Sequence, residues 1–155
     1  MDYLFLKATH ITGVVLFLGN IITGVFWKLH ADRTRELRAR AQALDGIIRA
    51  DRLFTMPGVL LIIGTGVWLA QLGNLPLLRT FWIGWSLVLF GISGAVFMVA
   101  LAPLQKKMLA NVSAGLAGGW DESAYERMSR SWAIWGAIAT LTPLAALYLM
   151  VIKPT

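Results

Sequence analysis

The sequence predicts an all-α fold: an antiparallel bundle of four transmembrane helices, with a basic cytoplasmic helical loop between helices 1 and 2. Three observations predict it. The chain is 57% hydrophobic and only 14% charged, where soluble domains run near 45–50% and about 25%. Four runs lack Asp, Glu, Lys and Arg: Ala8 to Trp27, Leu53 to Leu78, Thr80 to Gln105 and Ser131 to Ile152. Each is long enough to cross about 30 Å of hydrocarbon at 1.5 Å per residue. The positive charges collect between the runs, at one end of the bundle. Because the runs are continuous rather than alternating, helices and not a barrel satisfy the backbone in lipid.

The 155 residues read as a single domain. Helix 1 covers about Tyr3 to Trp27, too long and without the small-residue ending of a cleaved signal peptide. The stretch "ADRTRELRARAQALDGIIRADR" follows. Its Leu37, Leu44 and Ile48 fall on one face and arginines elsewhere, as in an amphipathic helix lying on anionic inner-leaflet headgroups or extending helix 1. Asp45-Gly46 marks a break before helix 2. Helix 2 spans Leu53 to Leu72, with Pro57 in a first turn that needs no amide proton. The short connection "GNLPLLR" makes helices 2 and 3 antiparallel neighbours. Helix 3 covers Thr80 to Ala102, with Pro103 as its stop and "SAGLAGG" as a loop beyond it. Helix 4 runs from Ser131 to Ile152, and Pro143 is expected to kink it.

The net charge of +6 is explained by location, not by nucleic-acid binding. Lys28, Arg33, Arg35, Arg38, Arg40, Arg49 and Arg52 precede helix 2, and Lys106, Lys107, Arg127 and Arg130 lie between helices 3 and 4. The other end has only Lys7, Arg79 and Lys153. By the positive-inside rule, a multi-pass protein with both termini outside and both long loops in the cytoplasm is expected.

Few residues in the spans bear chemistry. His10 lies about 10 Å down helix 1, so lipid would penalise it and it should face the bundle interior, a cavity or another protein. His10, Gly13, Phe17, Asn20 and Gly24 share one arc of the helix. That stripe reads either as a small-residue helix–helix seam or as the wall of a flat cofactor pocket with His10 as metal ligand. Lys7 is placed to meet an anionic propionate or a quinone oxygen, and Asn20 to orient a ligand. Trp85 and Ser86 of helix 3 are expected in the layer of His10. His30, about 30 Å along the same helix, cannot share a metal with His10, so a haem there would take its second axial ligand from elsewhere. No Asp or Glu is expected in mid-membrane, which disfavours a proton-coupled transporter. Absence of cysteine excludes disulfides and thiolate chemistry.

"FLKATHITGVVLFLG", "IIRADRLFTMPGVLLIIGTGVWL" and the closing "VIKP" together resemble a bacterial integral-membrane family, domain-of-unknown-function family 2269. More distantly they are similar to HemJ-type protoporphyrinogen oxidases and to CopD-like membrane proteins. The oxidase resemblance implies that His10, with Lys7 before it, binds haem, and that His30 corresponds to a second histidine. The chain departs from that pattern in helix 3, where Ser86 of "WIGWS" stands in place of a lysine and a later histidine is missing. Three readings follow. The first is a redox-associated membrane protein with haem b or a quinone-like ligand near His10. The others are a structural or assembly subunit of a larger membrane complex, or a homo-oligomer of that kind, and a protoporphyrinogen-oxidase-like enzyme.

Overall fold

The computed structural model describes residues 3–154 and consists of four long helices: α1 (Tyr3–Thr34), α2 (Leu37–Leu72), α3 (Phe81–Leu116) and α4 (Glu122–Ile152). No strand occurs among the described residues. Each helix is long and apolar enough to cross a membrane. At 36 residues, α2 and α3 reach about 54 Å and outrun the hydrocarbon layer by several turns. One end of the bundle carries the α1–α2 and α3–α4 turns and most of the arginines. We call it the basic end, and the other, with both termini, the terminal end.

Several breaks expected from sequence are absent. No separate helical loop joins helices 1 and 2, because α1 runs on to Thr34 and the basic stretch from Leu37 is the first part of α2. The turn between them is made by Arg35, whose φ of 57° lies in the left-handed region. Gly46 does not break α2. Its roughly 1 kcal/mol propensity cost is small beside the packing of this arm against α3, with Leu44 1% exposed. Nor does Pro103 stop α3, and most of "SAGLAGG" is helical, the chain turning only after Leu116.

The prolines are accommodated by widened turns. Residues 51–55 of α2 and 97–101 of α3 form π-helical turns, in which Met56 N–H reaches Asp51 O and Ala102 N–H reaches Phe97 O. Each π turn ends two residues before a proline, Pro57 or Pro103. The wider ring relieves the clash of the proline with the carbonyl four residues back. In α4, Pro143 cannot donate to the Ala139 carbonyl. Ser93 Oγ of α3 donates to it instead, at 2.7 Å, as membrane helices re-satisfy freed backbone groups through hydroxyls of their neighbours.

The helices associate as two pairs, α1 with α2 and α3 with α4, and the basic-end arms of α2 and α3 pack together. Contrary to the short connection's implication, residues 56–72 of α2 and 81–96 of α3 make no backbone approach, so these two helices are neighbours only toward the basic end. Between the pairs in the terminal half, the rings of Phe17 and Phe90 meet with centroids 5.3 Å apart. The main core lies toward the basic end and includes Leu44, Leu101, Met108, Val112, Tyr125 and Trp132. Helix α4 opens on Asp121, whose carboxylate accepts from the Ala124 amide at 2.9 Å, an N-cap bond that holds this carboxyl below the usual carboxylate range.

Candidate functional site

The stripe seen in α1 is its seam with α2. Gly13 and Gly58 form the crossing: a Cβ on Gly58 would meet Gly13 O at 3.1 Å and the Phe17 amide at 3.2 Å, so the backbones touch only because both residues are glycine. His10 lies over Gly66, whose added Cβ would stand 3.2 Å from the imidazole Cε1. The ring's Nδ1 is 3.0 Å from Thr65 Oγ1. Thr65 itself donates to the Leu61 carbonyl, an arrangement that suits the tautomer with its proton on Nδ1. In that tautomer the lone pair is on Nε2.

The remaining residues singled out in the sequence do not gather around His10. Lys7 is exposed, one turn away on α1. Trp85 is exposed on α3, its ring tilted against Phe81. Ser86 is buried and donates to the Ala146 carbonyl of α4 at 3.2 Å, as part of the other pair's seam. Asn20 lies about 15 Å farther along α1 from His10, in another polar layer. His30 is exposed and stacks on Phe26.

Asn20 instead points to a carboxylate. Its Nδ2 donates to Asp51 Oδ1 at 3.0 Å and to Thr55 Oγ1 at 2.9 Å. Thr55 Oγ1 donates to the same Oδ1 at 3.0 Å, and Gln105 Nε2 of α3 reaches Oδ2 at 3.3 Å. Asp51 is 8% exposed and Gln105 5%. Asn20 sits inside the uncharged run of α1, about 12 Å from Lys28, and Asp51 stands level with it. No such carboxylate was expected from the sequence: Asp51 was assigned to the loop because Gly46 was read as a break, whereas α2 runs on through both. No ion pair holds it among the described residues; every donor is neutral. The cluster lines a cavity of about 200 Å³ between the helix pairs, walled by apolar groups such as Phe17, Phe97 and Met98.

A second polar layer closes the basic end. Lys28, 1% exposed, binds Asp32 at 2.5 Å and Ser129 Oγ at 2.7 Å, with its Nζ 5.0 Å from the Trp132 ring. Tyr125 OH donates to Asp32 Oδ1 at 2.6 Å, and Arg40 donates to the Asp32 carbonyl at 3.3 Å while its guanidinium faces the Tyr125 ring at 4.8 Å. Asp32 thus joins residues of α1, α2 and α4. No group of three or more His, Cys, Asp or Glu able to hold a metal occurs among the described residues.

With four membrane-length helices and a polar interior in view, comparison with known proteins is informative. Residues 4–154 match the family described as Predicted integral membrane protein (DUF2269). The chain belongs to this family. No curated protein and no solved structure matches it, and for this DUF2269 member a similarity to HemJ-type oxidases or CopD-like proteins is not shown. Sequence reasoning missed Asp51, Thr55, Gln105 and Thr65. A signal was present, since Asp51, Thr55, Gly58, Ile62 and Thr65 recur at intervals of four and three, the spacing of one helix face.

Proposed function

We propose that this integral membrane protein takes up a proton or another small cation at Asp51. One observation carries the reading: a buried carboxylate inside the bundle, facing a cavity, bonded only by Asn20, Thr55 and Gln105. An ionisable group at such depth is costly and marks an ion pathway more often than a structural contact. The partners also suit a change of charge. Amides and hydroxyls both donate and accept, so turning the Gln105 amide or the Thr55 hydroxyl would satisfy a protonated Asp51 as well as an ionised one. A permanent cation would lock the ionised state, and none pairs with Asp51 among the described residues. The charge asymmetry supports an inner-membrane setting with the basic end cytoplasmic and the termini outside.

Infrared spectroscopy of the protein in liposomes tests this. We expect a carboxylic-acid C=O band that grows as pH falls and is missing from Asp51→Asn, whose amide keeps the shape and most of the hydrogen bonds. Identical pH-difference spectra for the two proteins would defeat the proposal.

A second reading, a redox-associated role with haem b or a quinone-like ligand at His10, is favoured by the Nε2 lone pair of the Nδ1-protonated tautomer. Nδ1 is oriented by Thr65 in the manner of second-shell partners of metal-bound histidines. The residues fit one axial position of a haem, with Lys7 one turn away for a propionate; Trp85 and Ser86 do not complete a pocket. A Soret band in purified protein that disappears in His10→Ala would support this role.

A further inference from the structure

Between the basic-end parts of α1 and α2 lies a groove of about 490 Å³, distinct from the cavity at Asp51. Its lining includes Thr23, His30, Thr34 and Gln42 among small and apolar residues. Groove and inner cavity share three lining residues, Asn20, Gly24 and Ile47. Asn20 is also the residue whose amide bonds Asp51. The two spaces therefore abut at the carboxylate's own hydrogen-bond partner, with the Ile47 side chain packed against Gly24 where they meet.

Toward the terminal end the cavity meets a pair of phenyl rings. Phe17, 5% exposed, lines it and meets Phe90 across the gap between the helix pairs. Beyond that contact, the terminal half presents apolar faces to lipid rather than a polar passage.

We infer that the groove is the entry to Asp51, that it opens only at the basic end, and that what enters is a proton rather than a metal cation. The inference rests on Asp51 being the uptake site just proposed. The choice of ion comes from the mouth. Arg35 forms the turn there, Arg38 lies one turn from Gln42, and Arg33 lies one turn from His30. All three are exposed and form no ion pair among the described residues. Their positive potential depletes metal cations, whereas a proton passes along hydrogen-bonded groups and water.

No other titratable group competes at Asp51. On α2 itself, Arg52 is exposed; α3 presents Gln105, with Lys106 and Lys107 turned outward; α4 presents Trp132. The nearest buried cation, Lys28, lies against the Trp132 ring and is taken by Asp32.

The absence of cysteine makes the route directly testable. Thr23→Cys and Ala43→Cys place single thiols in the groove, away from Asp51's bonds. In sealed vesicles of either orientation, a charged, membrane-impermeant thiol reagent should label both from the basic face and neither from the terminal face. Ala43→Trp, which fills the groove, should slow the response of the Asp51 infrared band to a pH jump while leaving its final amplitude unchanged. Sodium, potassium or magnesium at constant pH should leave the band unmoved.

Labelling from the terminal face, unlabelled thiols at the basic face, or an Ala43→Trp response as fast as wild type would overturn the route. A band that shifts with a metal cation at fixed pH would overturn the choice of ion. These failures are separable from failure of the site: if Asp51→Asn removes no band, uptake at Asp51 is wrong whatever the thiols show.

Discussion

The terminal and basic halves of this molecule hold helices together by different physics. In the terminal half, contact is backbone to backbone or hydroxyl to carbonyl: Gly13 against Gly58, Ser86 to Ala146, Ser93 to Ala139. Those contacts are local to each pair, and across the gap the rings of Phe17 and Phe90 meet. In the basic half, Met108 and Val112 are fully buried in a shared core, and Asp32 binds three helices at once. The difference follows the solvent. Lipid tails are as apolar as Leu, so burying Leu between helices gains little there and small residues and hydrogen bonds decide association. Where the helices emerge toward water, the hydrophobic effect gathers them again. Asp51 lies where one regime gives way to the other.

The largest effect should come from removing the anion that ties the basic half. Asp32→Ala leaves Lys28 and Arg40 buried with no opposing charge, and breaking such a pair by deleting one partner costs about 3–5 kcal/mol. We expect a large fall in thermal stability in detergent and early loss of the Lys28-dependent contacts, read by quenching of the Trp132 fluorescence. Lys28→Met together with Asp32→Ala should recover part of the loss, because an apolar side chain of similar length refills the site. A single Asp32→Ala variant as stable as wild type would show the network to be solvated rather than structural.

A smaller but sharper test addresses the terminal half. Gly58→Val places carbon within about 3 Å of the Gly13 carbonyl and the Phe17 backbone, neighbours that cannot rotate away. Overpacking of this kind typically costs about 1–3 kcal/mol. Gly64, with open space where its Cβ would be, provides the control, and Gly64→Val should be tolerated. Equal effects at the two glycines would mean that α1 and α2 are not held by close approach.

How much of this was readable beforehand divides along the same line. The four spans, the all-α class and the seam face of α1 follow from charge-free length and spacing, because hydrocarbon allows few alternatives. The basic half was misread. Gly46 and Pro103 are breakers by local propensity, and tertiary packing overrode both. The buried positions of α2 explain how: Arg40, Leu44, Ile47, Asp51, Thr55 and Gly58 keep one face by steps of three and four. Asp51 belongs to that face, and it was missed because Gly46 was read as a break that left it in the loop. Trp85 and Ser86 were set beside His10 because a short connection was taken to imply contact along whole helices, and the splay of the pairs removes that inference.

The smallest effect would sharpen the account of the terminal half most. Pro143 strips the Ala139 carbonyl of its amide partner, and Ser93 Oγ replaces it. Interhelical hydrogen bonds in membranes average only about 0.6 kcal/mol, with a maximum near 1.7. Here the alternative is an orphaned carbonyl within a buried seam, since Ser93 is 2% exposed and Ala139 4%, so Ser93→Ala should fall toward the upper figure. A replacement hydrogen bond has a further consequence that packing alone does not. Pro143→Ala restores an amide proton to the Ala139 carbonyl, so in that background Ser93→Ala should cost almost nothing. A double-mutant cycle on reversible unfolding in mixed micelles measures the coupling. If Ser93→Ala costs the same with proline or alanine at position 143, the serine is present for its size and the carbonyl has been satisfied in another way.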